Sequence, residues 1–596
     1  MAGEGTFKAS GAAVRANHRA DGCIELENAI CLPSIKGTIP RRLAYWAVRR
    51  PAAVFLSEAD RVITYGEAET ARHHHAARLL GLGLSEERPL LILGENSINH
   101  ALLMLAASSV GIPAAIVSPA YVAQASPPWE KLGRVIKQVT PSLIVADQPE
   151  AVQQALDALA IAVPVRPVRD FSWIGQIESV PPNMVANAER AVSGDSVAKL
   201  LFTSGSTGIP KAVPNTQRMM VSNMLALEPV WPFLRESPPM LVDWLPWNHT
   251  FGGNCCFNIT LWFGGHLHID KGRPAQALIG HTVEALRRFN PSVYFNVPLG
   301  YELLLGHLEK DHALAARFFQ GLHFAFNAGA AMSQAVRMRL EVLWRETTGR
   351  EPAVVGGWGS TETAPFATVL PFPTPYHANL GIPIPGTTLK LVPLAERERY
   401  ELRVRGPNVM PGYWRDAAAS AAAFDEESFY CIGDVGRFAE ANNPSAGIVF
   451  DGRVAENFKL SSGTFVNVSA LRLAVISAGG KLISDAVIAG EGYSEVGVLL
   501  FLNEAACRQF LGTAASPATP FSQEPQLIAH LTELLSVLNK NSQASSARIA
   551  RFLILDELPS AADDEITDKG YLNQRRILAR RSSEVKELYS KGIRLP

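Results

Sequence analysis

The run Leu200-Leu201-Phe202-Thr203-Ser204-Gly205-Ser206-Thr207-Gly208-Ile209-Pro210-Lys211 holds the residue types that bind a phosphate. An apolar strand leads into hydroxyls and glycines, and a lysine closes the turn. Glycine lets backbone N–H groups approach an anion closely, while hydroxyls and a lysine add donors and charge. The pattern is not the P-loop of common nucleotide hydrolases, which needs Gly just before the lysine and Ser or Thr just after it. Here Pro210 precedes Lys211 and Ala212 follows, so a phosphate loop of another kind is expected, with an ordinary Ser/Gly-rich turn as the bland alternative. The consecutive His73, His74 and His75 suggest metal at first sight. Successive helix positions point in different directions, so a solvated helix face is the better expectation.

Such a loop needs a rigid frame behind it. Pro89 to Leu93, Ala114 to Val117 and Ser142 to Ala146 are short apolar runs, each flanked by a helix-length amphipathic segment. That alternation predicts parallel strands buried on both faces with helices between them. After about residue 385 the texture changes, and Thr388 to Val392 and Tyr400 to Val404 alternate apolar with polar like half-buried strands. Glu440 to Ala446 reads as a hairpin turn, and a smaller α/β unit is expected from Asn457 onward.

At 596 residues, 47% of them apolar and 19% charged, the chain predicts two or more globular domains with a sizeable core. A formal charge of −1 leaves no basic surplus for a nucleic-acid backbone. Cys23, Cys31, Cys255, Cys256, Cys431 and Cys507 form no CxxC pair, which suits a reducing cytoplasm. The first 35 residues read as a polar, Gly/Ala-rich lead-in without the layout of a signal peptide. Ala101 to Trp129 carries no charge, but Gly111-Ile112-Pro113 breaks it, so a buried helix, turn and strand are expected there instead of a membrane span.

The phosphate loop, Thr203 to Lys211, resembles the nucleotide loop of the adenylate-forming superfamily of acyl-CoA synthetases, peptide-synthetase adenylation domains and luciferases. Further signatures follow in the family's order. Gly357-Trp358-Gly359-Ser360-Thr361-Glu362 resembles the second, and Glu401 to Trp414 the strand–loop motif after it. Tyr430-Cys431-Ile432-Gly433-Asp434 resembles the ribose motif, and Asp451-Gly452-Arg453 the motif at the domain junction. The resemblance implies an α/β fold. It has a large N-terminal domain (36–456) of stacked α/β sheets with a β-rich subdomain, and a small mobile C-terminal α+β domain (457–596) after the lead-in (1–35).

The same resemblance implies roles. Thr203, Ser204, Gly205, Ser206, Thr207, Lys211, Trp358, Gly359, Ser360, Thr361, Asp434 and Arg453 would bind ATP or AMP, with Thr361 on a phosphate oxygen and Asp434 on the ribose hydroxyls. Glu362 would hold Mg²⁺ against the phosphates, since that ion prefers hard oxygens. His249, within Leu245 to Gly253, would line the acid channel near the reacting carboxylate. Lys569, within Glu565 to Arg575, would be the catalytic lysine, although Asp568 stands where most of the family has glycine, which leaves Arg575 and Arg576 in play. At the junction Ala455-Glu456 replaces the usual Lys-Asp, so Glu456 becomes the pivot, and Gly463 would leave room for the pantetheine arm of coenzyme A. Two half-reactions at one site are implied, with the small domain swinging between them.

The acid itself is read from the segments 247–257, 294–299 and 326–332, which carry Trp247, Phe251, Phe257, Tyr294, Phe295 and Phe326 and no charged side chain. Trp247, Asn254, Tyr294, Asn296, Ala328 and Gly329 are the expected pocket residues, and Asn254, Asn296 and Asn327 are neutral partners for a ring hydroxyl. Within the superfamily the chain is most similar to feruloyl-CoA synthetases, from about Asp21 to the end. That implies ferulate, p-coumarate or caffeate as substrate, with ATP, Mg²⁺ and coenzyme A, in a cytoplasmic monomer or homodimer that binds neither nucleic acid nor membrane. The alternatives are a fatty-acyl or other aryl-CoA ligase, the adenylation half of a carboxylate reductase, and a catalytically dead nucleotide-binding module.

Overall fold

The computed structural model describes residues 13–123, 129–204, 210–395, 398–454, 456–462, 464–512, 519–540, 548–560, 563, 565–566 and 572–596. The chain divides into two compact units. The first is Met1–Val392 with Leu402–Ile432 and Phe438–Val449, and the second is Phe450–Pro596 with Pro393–Glu401 and Gly433–Arg437. A boundary at residue 456 is the sequence expectation.

In the first unit the three apolar runs form Leu90–Leu93, Ala114–Ile116 and Leu143–Ala146, all fully buried and mutually parallel. Their sheet continues through Val197–Ser204, parallel to Ala114–Ile116, and ends on Pro210–Thr216, which pairs antiparallel with Val197–Ser204. The edge position of that last strand explains how it tolerates Pro210 and Pro214, which have no N–H to give a further neighbour. A second sheet holds Met240–Asp243, His266–Ile269 and Val54–Glu58 in parallel. A third holds Val293–Asn296, Phe324–Asn327 and Val354–Gly359 in parallel, with Phe295 beside Phe326 and Asn296 beside Asn327. The C-terminal ends of these three parallel strands therefore lie at one edge, where open α/β sheets bind ligands.

Several expectations change. The opening segment holds a hairpin of Val14–His18 and Ile24–Asn28, and Ile24–Asn28 pairs with Thr388–Pro393. Thr388 to Leu391 are all buried, with Lys390 held by ion pairs to Asp425 and Glu427, so the half-buried alternation read there is corrected. Of the three histidines, His73 and His74 are exposed, but His75 is buried edge-on against Phe171 and pushed down to about 4 by that burial. The uncharged stretch forms the helix Ile98–Ser109, a turn and the strand Ala114–Ile116. Among the described residues no helix is long and apolar enough to cross a membrane. All six cysteines are free thiols.

In the second unit Ile483–Ala489, Val496–Leu502, Ile549–Leu555 and Ile593–Arg594 form one sheet covered by Val468–Gly479 and Pro525–Lys540. Its core includes Val475, Val498, Leu500, Leu531 and Phe552, and α+β is the result.

Candidate active site

Thr203 and Lys211 stand opposite each other where Val197–Ser204 and Pro210–Thr216 converge, so the two ends of the phosphate loop are clamped by one hairpin. Gly205, Ser206 and Thr207 lie outside the described residues, as does the Ser204 side chain. The Lys211 ammonium lies 4.8 Å from the centre of the Tyr413 ring. The Tyr413 hydroxyl donates to Glu362 Oε1 at 3.1 Å, and Tyr430 lies beside Tyr413. Burial and the nearby Glu362 carboxylate push both phenols well above their ordinary range, so both remain neutral donors. Sequence reading gave neither tyrosine a role, although each sits inside a motif it had picked out.

Glu362 is buried to 5% exposure in the short turn Thr361–Thr363 that follows Val354–Gly359. That turn is fastened from behind by two buried asparagines. Asn215 Nδ2 donates to the Thr361 carbonyl at 3.4 Å and Asn223 Nδ2 to the Thr363 carbonyl at 3.1 Å. Asn223 Oδ1 also accepts from Phe366 N–H at 3.0 Å. Gly359 makes the turn possible. Its φ is +156°, and a Cβ there would lie 1.9 Å from the Pro365 carbonyl oxygen. Ser360 N–H donates to Thr363 Oγ1 at 2.8 Å, closing the turn, and Trp358 is buried on the strand before it.

Phe251–Cys256 is a π-helical turn that runs into the helix Phe257–Phe263. It packs so closely on the preceding backbone that a Cβ at Gly253 would sit 2.4 Å from the Trp247 carbonyl oxygen. Such turns widen a helix locally and re-aim its side chains. His249 is half-buried just before it, with Nδ1 accepting from Phe251 N–H at 3.3 Å. In the neutral ring that places the proton on Nε2.

The aromatic rings expected to line the acid pocket pack tightly against one another. Phe251, Phe295 and Phe326 meet with ring centres 5.3 to 6.1 Å apart, and Phe366 adds a fourth ring 5.5 Å from Phe326. Four of the expected pocket residues are enclosed. Trp247 packs on His100 and Phe257 at 1% exposure. Asn296 donates to the Tyr294 hydroxyl and accepts from Val297 N–H, and both side chains are enclosed. Asn254 donates to Thr250 Oγ1 at 3.0 Å and to Asn215, and it accepts from Lys199. The expectation that Asn254 and Asn296 greet a ring hydroxyl is therefore corrected: protein partners engage both amides. Asn327 is half-buried and donates to the Ala330 carbonyl, Ala328 is half-buried, and Gly329 is exposed with φ +87°.

Asp434 and Arg453 belong to the second unit, where Arg453 Nε lies 3.3 Å from Asp434 Oδ1. Gly433, at φ +81°, turns the strand just before Asp434. Glu456 is half-buried, with its N–H on the Arg453 carbonyl at 3.3 Å. Gly463 and Lys569 lie outside the described residues. Arg576 is tied to the Asp563 carbonyl at 2.9 Å.

Comparison with known proteins gives this arrangement its relatives. Residues 43–414 match the model of the AMP-binding enzyme family, and residues 458–592 match that of the AMP-binding enzyme C-terminal domain. A long-chain-fatty-acid–CoA ligase of Escherichia coli O157:H7 is 30% identical over 262 residues, 40% of this chain and 44% of that protein. The chain thus aligns with less than half the length of that relative. A long-chain-fatty-acid–CoA ligase of Mycobacterium bovis is 23% identical over 89% of this chain and 92% of its own. An anthranilate CoA ligase in complex with anthranoyl-AMP superposes with a TM-score of 0.71 at 18% identity, over 93% of this chain and 99% of that one. An o-succinylbenzoate CoA synthetase from Bacillus subtilis, with ATP and magnesium, gives 0.69 at 17% identity, over 90% and 98%. At such identities the likeness concerns the fold: a large α/β domain with a smaller C-terminal one. With a family match over more than half its length, lying across the phosphate hairpin and the Glu362 turn, the chain belongs to the AMP-binding enzyme family.

Proposed function

We propose that this protein is an AMP-forming acid–thiol ligase. A carboxylate oxygen attacks the α-phosphorus of ATP, and the bond from that phosphorus to the pyrophosphate oxygen breaks, giving acyl-AMP. The coenzyme A thiol then loses its proton and attacks the acyl carbonyl carbon, and the bond to AMP breaks. The observation that supports this most is the convergence of Lys211, Tyr413 and Glu362 beside the phosphate hairpin. An ammonium and a buried carboxylate held by one tyrosine supply a cation for phosphate oxygens and an anion for a metal.

The donor set fits Mg²⁺. Glu362 is a single hard-oxygen ligand with little exposure, steadied by Tyr413, and such an ion completes its shell with phosphates and water. When bound, the ion screens phosphate charge. Thr361, held through its carbonyl by Asn215, is proposed to donate to a phosphate oxygen, and His249 is proposed to border the acid carboxylate. Asp434 and Arg453 are proposed for the ribose and Lys569 for charge developing on the α-phosphate. Glu456 is proposed as the pivot between the half-reactions, and Gly463 as the point where the pantetheine arm passes. The domain limits 36–456 and 457–596 belong to the same proposal.

For the acid we propose a hydroxycinnamate such as ferulate, p-coumarate or caffeate, because the Phe251, Phe295 and Phe326 cluster is uncharged and aromatic. The second reading is a long-chain fatty acid, favoured by the curated relatives. A panel of hydroxycinnamates, benzoates and fatty acids, scored for acid-dependent pyrophosphate release and thioester formation, decides. Preference for ferulate supports the first reading, and preference for long alkyl chains replaces it with the second. No AMP from any acid leaves a nucleotide-binding module without catalysis.

A further inference from the structure

Lys199 lies in the middle of Val197–Ser204, the strand that leads into the phosphate loop, and is 3% exposed. Among the described residues no carboxylate pairs with it. Its ammonium nitrogen donates to the Gly253 carbonyl at 2.6 Å and to Asn254 Oδ1 at 3.3 Å, and stands 5.5 Å from the centre of the Phe257 ring. Asn254 Nδ2 donates to Asn215 Oδ1, and Asn215 Nδ2 donates to the Thr361 carbonyl at 3.4 Å. Both amides are thereby fixed in orientation, since each has its oxygen on a donor and its nitrogen on an acceptor. A continuous buried relay therefore runs from Lys199 through the π-helical turn to the Glu362 turn, entirely inside the first unit.

We infer that Lys199 is a positioning residue: through Asn254 and Asn215 it sets where the Thr361–Glu362 turn stands, and with it the affinity for the nucleotide. This rests on the reading of that turn as the nucleotide site. The relay offers Lys199 two acceptors, the Gly253 carbonyl and Asn254 Oδ1. A neutral amine carries two protons and satisfies both; an ammonium carries a third, for which the described residues offer no further acceptor. Burial pushes Lys199 down to about 7, so the two forms exchange near neutrality.

Other titratable groups face the relay: Asp243, beside Cys256 of the π-helical turn, is pushed up to about 8 by burial. His100, on Ile98–Ser109, is pushed down to about 4 by burial, and Cys255 and Cys256 are pushed up by theirs. Lys211 lies on the neighbouring strand and Glu362 on the turn itself. The strand Ala114–Ile116 on the other side carries no titratable group.

The test is binding of Mg²⁺ and α,β-methylene-ATP by calorimetry from about pH 6 to about pH 8.5, beside the thermal midpoint. In the natural protein affinity falls about fivefold to tenfold as pH drops below 7. Lys199→Met weakens binding about tenfold at pH 8 and loses the inflection. Asn254→Asp removes the donor to Asn215, so it weakens binding at every pH, and by giving the ammonium a buried counter-charge it moves the inflection that remains to higher pH. Asn215→Ala weakens binding, and combining it with Lys199→Met costs less than the sum of the two. Should Lys199→Met not fold, the Asn254→Asp shift and the Asn215→Ala loss carry the test. A Lys199→Met protein with natural affinity and natural pH slope overturns the inference, even with a lowered thermal midpoint, and so does an unmoved inflection in Asn254→Asp. A natural protein that binds no nucleotide at any pH overturns the functional reading itself.

Discussion

The Tyr413 hydroxyl reaches Glu362 Oε1 at 3.1 Å while the Lys211 ammonium stands 4.8 Å from the centre of the same ring. One phenol therefore links the expected phosphate cation to the expected metal ligand. Removing only the hydroxyl, as Tyr413→Phe, keeps the ring beneath Lys211 and releases Glu362. A hydrogen bond to a charged acceptor contributes about 1.5–3 kcal/mol, so KM for MgATP should rise about 10- to 100-fold. Glu362→Gln should lower kcat/KM more and raise the magnesium concentration needed for half-maximal rate. Titrating magnesium into both variants, with chelator-treated protein as the baseline, checks the order of the two effects.

Gly359→Ala tests the turn itself. A methyl there meets the Pro365 carbonyl at 1.9 Å in a backbone conformation at φ +156°. The turn must shift, at a cost of about 2 kcal/mol or more, and Thr361 and Glu362 shift with it. Nucleotide binding should fall more than the thermal midpoint does. Unchanged nucleotide affinity would show that the turn is free to rearrange.

Acid stability should depend on the second unit. Arg581 holds both oxygens of Glu565 at 2.7 Å, with the two side chains 2% and 0% exposed, and Ser560 N–H adds a third donor at 2.8 Å. The Arg581 hydrogen bond, ahead of the other causes, brings Glu565 down to about 2 from an ordinary 4.5. The folded value lies below the unfolded one. Its stabilising contribution is therefore complete above pH 4.5 and is lost as pH falls towards 2. Glu565→Gln, which strands a buried guanidinium, should destabilise this unit by about 3–5 kcal/mol at neutral pH and flatten its acid limb. Denaturation followed against pH in both proteins checks the sign.

Lys569→Ala should slow pyrophosphate release about 100- to 1000-fold, the usual effect of losing one preorganised donor on a developing charge. Thioester formation from supplied acyl-AMP should be spared. Equal loss of both steps would remove Lys569 from its assigned role. Loss in Arg575→Ala with an active Lys569→Ala would transfer that role to the arginine.

The phosphate loop, the Glu362 turn and the parallel strands were legible in the sequence because each depends on neighbours along the chain. Hydroxyls and glycines beside Lys211 carry the expectation of a phosphate site, and unbroken apolar runs announce strands buried on both faces. Tertiary structure decided the rest, through partners far apart in sequence. Lys390 looks half-exposed until Asp425 and Glu427 pair with it, and His75 looks like its solvated neighbours until Phe171 packs on it. Lys199 passes for a stray charge in an apolar strand until Gly253 and Asn254, 54 and 55 residues away, supply its acceptors. Residue types state which bonds a side chain can make; only packing, by excluding water, determines which of them it must make.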